Sequence, residues 1–265
     1  MVEFKTHGSV PYQIIVLHGG PGAWGEMAPV ADQIADKCGV IEPYFLEETL
    51  QGQLNELKQI IQLLHLKTVS LLGFSWGAWL GYLFAAKYPA LVTKLILVGS
   101  GPYEHQYFLK LLETRESRMN PSQKELYLEI LQKLRDPDES NKNSLISQLG
   151  ALCSKIDQYH PDPFEKSFPS PHFDLDRSTY FQQALNEVIG MRKSGELLQQ
   201  AEKILCPVVA IHGDYDPHPA NGVKIPLEQK IENFKFFLLE KCGHKPWIEK
   251  FARTNFFNIL KSVLF

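Results

Sequence analysis

A chain of 265 residues with a net charge of -3 and 44% apolar residues is long enough for one substantial core or one core plus a lid, so a single domain is expected. Its weak acidity gives no electrostatic reason to bind nucleic acid or an anionic membrane, and a small molecule or short peptide is the expected partner. No run approaches the roughly 18 apolar residues of a membrane span, and Met1-Val2-Glu3-Phe4-Lys5 lacks the blocks of a signal peptide, so a cytoplasmic location is expected.

The first apolar, strand-like run, Gln13 to Leu17, ends in His18-Gly19-Gly20-Pro21-Gly22. Alone this is a Gly/Pro turn after a strand. A glycine-rich loop also lets a backbone N–H come close to a reacting group, because no side chain blocks the approach. A second run, Gly39 to Ile41, precedes Thr49 to His65, where Leu50, Leu54, Leu57, Ile60, Ile61 and Leu64 keep helical spacing and form a core-facing stripe.

Next, Val69 to Leu72 runs into Gly73-Phe74-Ser75-Trp76-Gly77 and then a helix-like Ala78 to Tyr88. A G-x-S-x-G turn between strand and helix holds the serine in a strained conformation, with its hydroxyl at the head of a helix whose dipole favours developing negative charge. With that serine present, the N–H groups of Gly20 and Trp76 become the expected oxyanion hole.

After the run Leu95 to Val98, the strand and helix alternation stops for about a hundred residues. Helices are expected over Gln123 to Arg135, Leu145 to Tyr159 and Thr179 to Lys203, with Pro161, Pro163, Pro169 and Pro171 marking a non-helical crossing. Strand-like Val208 to Ile211 then leads into His212-Gly213-Asp214-Tyr215-Asp216-Pro217. Asp216 is preferred over Asp214 as a partner for a histidine, because an acid directly after His-Gly more often caps the turn itself. The last run, Phe236 to Leu239, precedes Cys242-Gly243-His244-Lys245-Pro246-Trp247.

Of nine histidines, His244 alone lies in a Gly-His-x-Pro loop after a strand near the C-terminus and is the expected general base; His18 and His212 read as loop-structuring residues. The cysteines Cys38, Cys153, Cys206 and Cys242 have no C-x-x-C or Cys/His metal spacing, so neither a metal nor a disulfide framework is expected. Cys242 reads as a loop thiol beside an intact serine elbow.

Serine, then acid, then histidine is the chain order of the α/β-hydrolase triad, and the chain resembles that superfamily over nearly its whole length. The His-Gly-Gly-Pro-Gly loop and Ser-Trp-Gly elbow look most like the proline iminopeptidase group. The resemblance implies an α/β fold with a mostly parallel sheet of about six strands. It further implies a core of residues 1–100 and 204–265, with a helical cap, 101–203, inserted before the penultimate strand. Catalytic Ser75, Asp216 and His244, oxyanion donors Gly20 and Trp76, and no cofactor are the implied machinery.

The chain departs from the peptidase pattern at Ile41 to Glu48, where an Asp-Gln-Arg-Gly-like segment is missing, and in having only Met1 to Ser9 before its first convincing strand. An aminopeptidase also needs a carboxylate to pair with the substrate ammonium, for which Glu104, Glu113, Glu116 and Glu187 are available by type. Tyr103, Tyr107, Phe108, Tyr180 and Phe181 are available to line an apolar pocket or to pack the cap. The expected activity is hydrolysis of a small ester, thioester or amide, with N-terminal prolyl peptides as the sharper option. The alternative is a ligand-binding protein that keeps the pocket with little turnover.

Overall fold

The computed structural model describes residues 2–20, 22–136, 138–162 and 178–265. The chain runs β1 (Glu3–His7), β2 (Tyr12–Leu17), α1 (Ala28–Ile34), β3 (Gly39–Tyr44), α2 (Leu50–Leu63), β4 (Val69–Phe74), α3 (Trp76–Lys87) and β5 (Val92–Val98). It continues through α4 (Gln106–Arg118), α5 (Pro121–Arg135), α6 (Lys142–Ile156), α7 (Ser178–Ser194) and α8 (Glu196–Gln199). It closes with β6 (Val208–Gly213), α9 (Asn221–Glu228), β7 (Phe234–Leu239) and α10 (Arg253–Leu264).

One 7-stranded sheet in the order β1-β3-β2-β4-β5-β6-β7 organises the molecule. Every neighbouring pair is parallel except β1 with β3. All six expected strand runs lie in this sheet; the addition is β1, inside the Met1 to Ser9 segment. Its mixed burial and exposed Glu3, Lys5 and Thr6 explain why it carries no clear strand pattern.

Alternate residues of the central strands face opposite cores, as a two-residue period requires. Ile15 and Leu17 pack on the side of α2 and α3, whereas Ile14 and Val16 pack on the side of α1 and α10. Helix α3 is buried at every position from Trp76 to Ala86. It is apolar all round because it lies against the sheet on one side and the returning chain on the other, where Tyr82 Oη–H donates to Leu197 O at 3.0 Å.

Helices α4 to α8 leave and return between the adjacent parallel strands β5 and β6. The expected helix Thr179 to Lys203 is broken: α7 stops at Ser194, and Gly195, at φ +82°, starts a new turn. A left-handed glycine at a helix end satisfies the terminal carbonyls at little steric cost. Helix α6 ends at Ile156, short of the expected Tyr159, because the next residues turn to make the contacts described below. Helix α4 carries apolar residues at Leu109, Leu111 and Leu112 among charges, a pattern too mixed to read as an amphipathic face. Pro163, Pro169 and Pro171 lie outside the described residues, and Pro161 forms an isolated antiparallel bridge with Glu249.

Candidate active site

The end of β4 turns directly into α3 at Ser75, whose φ of +52° lies in the left-handed region that costs a non-glycine residue free energy. The neighbouring glycines are required sterically. A Cβ on Gly73 would sit 2.2 Å from Gly77 O, and one on Gly77 would sit 2.3 Å from Leu17 O. The turn therefore closes on itself and lies against the end of β2, which brings the glycine-rich loop alongside the serine. Gly20 adopts φ +30° in that loop, and Trp76 is the first residue of α3. Pro21 lies outside the described residues.

Ser75 Oγ is 3.1 Å from His244 Nε2, and His244 Nδ1 is 2.7 Å from Asp216 Oδ2. An ionised carboxylate only accepts hydrogen bonds, so His244 carries its proton on Nδ1 and leaves Nε2 to accept from the Ser75 hydroxyl. Phe74, between the elbow glycine and serine, lies 4.8 Å from the His244 ring and 4.7 Å from that of Trp247, fixing the imidazole from the side. The loops bearing Ser75, Asp216 and His244 follow β4, β6 and β7, so one end of the sheet brings them together.

Asp216 holds more than one histidine. Its Oδ1 accepts the backbone N–H of His218 at 2.9 Å and His218 Nδ1–H at 2.8 Å. The His218 ring stacks on His244 with centroids 4.6 Å apart. His212 Nε2 donates to His218 O at 2.8 Å and lies 3.6 Å from Asp216 Oδ2. Burial raises the Asp216 pKa, but His244, His218 and His212 together outweigh it and hold the carboxyl well below its usual range. Burial pushes His218 down to about 4, against the pull of Asp216, so its ring is neutral near pH 7. Ligand atoms of Asp216, His218 and His244 lie within 4.8 Å of one another, a set able to hold a metal ion. In this arrangement both Nδ1 atoms bond the carboxylate, so ion binding would have to replace those bonds.

The His244 loop is fixed from two directions. His244 N donates to Asp157 O at 2.9 Å, and the Asp157 carboxylate pairs with Arg115, whose Nε lies 3.0 Å from Oδ1. Glu249, 0% exposed, accepts Gly243 N at 2.8 Å and Tyr159 N and His160 N at 2.7 Å. Glu26 links the other loops, accepting Gly19 N at 3.0 Å and pairing with Lys245 at 2.9 Å.

Ser75 stands between two cavities. The larger, about 440 Å³, lies toward Glu26, Asp157 and Lys245; the smaller, about 230 Å³, lies toward Trp76, Trp79, Phe108 and His218. Gly20 and Arg115 border both.

The model of the alpha/beta hydrolase fold family matches residues 49–251. The chain belongs to that family. Two relatives show what it is similar to within that family. It is 24% identical over 259 residues to a proline iminopeptidase of Heyndrickxia coagulans, covering 93% of this chain and 88% of that protein. It is also 24% identical over 208 residues to the monoacylglycerol lipase ABHD6 of Bos taurus, a match spanning 78% of this chain and only 58% of that lipase's length. Among solved structures, an esterase from Exiguobacterium antarcticum superposes with a TM-score of 0.71 at 18% identity, covering 99% of this chain and 95% of that one, which is a likeness of fold. No helix among the described residues is long and apolar enough to cross a membrane.

In this α/β hydrolase the residues singled out by sequence come together, Ser75 and Asp216 each bonded to His244, and Gly20 and Trp76 both border the smaller cavity beside Ser75. Asp214 instead accepts Cys242 N at 3.1 Å and serves the turn. His18 Nδ1 donates to Gly19 O at 2.7 Å within its own loop. Cys242 is buried, with its thiol pushed up chiefly by burial. Glu104, Glu113, Glu116 and Glu187 border neither cavity. Tyr103 is fully buried against Tyr82, Phe108 borders the smaller cavity, and the side chains of Tyr180 and Phe181 lie outside the described residues. Arg115, Asp157, His218 and Glu249 escape sequence reading. Only His218, two residues beyond Asp216, carries a local signal.

Proposed function

We propose that the protein is a serine hydrolase that cleaves a small carboxylic ester or thioester through an acyl-enzyme. The observation that carries this reading is the continuous contact from Ser75 Oγ through the His244 imidazole to the buried Asp216 carboxylate. His244 Nε2 takes the Ser75 proton as Oγ attacks the carbonyl carbon, and Asp216 stabilises the imidazolium that forms. The N–H groups of Gly20 and Trp76 hold the oxyanion. His244 then protonates the departing oxygen or sulfur, and water, deprotonated by the same imidazole, releases the acid and restores Ser75.

Residues 101–203 serve as a cap in this reading, since Arg115, Ser154, Leu185 and Arg192 from that insertion border the cavities on either side of the nucleophile. Ester cleavage is favoured over prolyl aminopeptidase activity by the state of the described acids that line the larger cavity. Asp157 is already paired with Arg115 and Glu26 with Lys245, leaving neither unpaired to receive a substrate ammonium.

The test is kcat/KM for a short 4-nitrophenyl ester against a prolyl arylamide with a free amine, with Ser75→Ala as the blank and a fluorophosphonate as the label for Ser75. Ester turnover with labelling supports the reading. Amide preference abolished by blocking the amine makes the enzyme an iminopeptidase, and absence of both turnover and labelling leaves a ligand-binding protein.

A further inference from the structure

Bordering the smaller cavity beside Ser75 is a cation that has no counterion among the described residues. Arg192, in the last turn of α7, is 2% exposed, and among the described residues its Nε and Nη2 have no hydrogen-bond partner. Its guanidinium carbon lies 4.3 Å from the centroid of the Phe108 ring and 5.5 Å from that of Trp79. Those rings offer cation–π contact, which offsets only part of the cost of removing a cation from water. Burial accordingly lowers its pKa to about 10.

Arg115, which is half-buried and borders the same cavity, shows how a neighbouring guanidinium is answered in this fold. Asp157 answers it with both carboxylate oxygens. Arg192 has no such acid among the described residues, and its Nε and Nη2 are the adjacent donors that match the two oxygens of a carboxylate. Trp79, Phe108 and Leu111, bordering the same space, suit a short hydrocarbon chain between that carboxylate and Ser75.

We propose that the smaller cavity receives an acyl chain ending in a carboxylate, with Arg192 binding the carboxylate while the ester carbonyl at the other end meets Ser75. This deepens, and rests on, the serine-hydrolase reading. The substrate is a monoester or monothioester of a short dicarboxylic acid. The alkoxide or thiolate leaves toward the larger cavity with the proton held by His244. Water then cleaves the Ser75 ester, so the products are the dicarboxylic acid and an alcohol or thiol.

The test compares mono-4-nitrophenyl glutarate with 4-nitrophenyl pentanoate, an acyl chain of the same length without the charge, in wild type, Arg192→Met and Arg192→Lys, with Ser75→Ala correcting for spontaneous hydrolysis. The wild-type ratio of kcat/KM values is expected to favour the glutarate. That ratio should fall about 100-fold in Arg192→Met and recover partly in Arg192→Lys, as for loss of one partner of a desolvated charge pair. Thermal melting in glutarate gives a readout independent of chemistry: wild type and Ser75→Ala should both be stabilised, Arg192→Met not. A wild-type ratio at or below one, or a glutarate shift that survives in Arg192→Met, overturns the proposal. Stabilisation confined to proteins that keep Arg192, in the absence of any ester turnover, would uphold the carboxylate site and refute the hydrolase reading instead.

Discussion

Replacing Glu249 by Gln measures how firmly the His244 loop is held. Oε1 accepts two backbone donors, Tyr159 N and Gly243 N, and Oε2 accepts His160 N. Glutamine with its oxygen in the Oε1 position keeps the first two bonds, without the charge, and sets an NH2 group against His160 N–H. A hydrogen bond to a charged group contributes about 1.5–3 kcal/mol, and a donor left facing a donor forfeits it. The expected loss is therefore about 2–3 kcal/mol, a sizeable part of a typical domain's 5–15 kcal/mol. Glu249→Ala, which loses every bond and leaves a cavity, should lose clearly more. Urea unfolding reads this as a lower midpoint at unchanged slope. Because Gly243 precedes His244, ester turnover should fall as well. A Gln variant within about 0.5 kcal/mol of wild type, the range of an ordinary surface change, or an Ala variant no worse than Gln, would refute the clamp.

Ser75→Ala should lower kcat by about 10³-fold or more with folding intact, read by ester turnover and circular dichroism. Asp216→Asn should reduce kcat far more than Asp214→Asn, since only Asp216 touches His244; the reverse ordering in steady-state kinetics would exchange their roles. His218 ordinarily titrates near 6.5 and sits at about 4 in the fold. The unfolded chain thus takes up a proton that the native state refuses, and stability should decline as pH falls from about 6.5 to about 4 by up to roughly 3 kcal/mol. Burial lowers His18 as well, with the same sign. Urea unfolding across that window should show the slope, reduced in His218→Gln.

The parts of this protein legible in the sequence are those fixed by local chemistry. G-x-S-x-G encloses a strained serine that only flanking glycines permit, and buried parallel strands read as apolar runs whatever packs on them. What was missed depends on contacts far apart in the chain. Glu249 follows Pro246-Trp247-Ile248 with nothing to mark it as the acceptor for residues 89 and 90 positions earlier. Arg115 and Arg192 sit among other charges on α4 and α7, and what sets them apart is a distant partner for the first and burial for the second. β1 is short, half exposed and antiparallel, so neither alternation nor a continuous apolar run announces it.

The bond from His244 N to Asp157 O bears on protein engineering. An insertion between neighbouring parallel strands looks like an exchangeable module, since the sheet closes without it. Here the segment from β5 to β6 supplies the acceptor that seats the His244 loop, the Arg115 partner that orients that acceptor, and two of the N–H groups that Glu249 gathers. A chimera carrying another hydrolase's insertion would therefore change the footing of the histidine together with the shape of the pocket. Grafts that retain Arg115 and residues 157–160 should keep their turnover, whereas grafts cut flush at the strand ends should not.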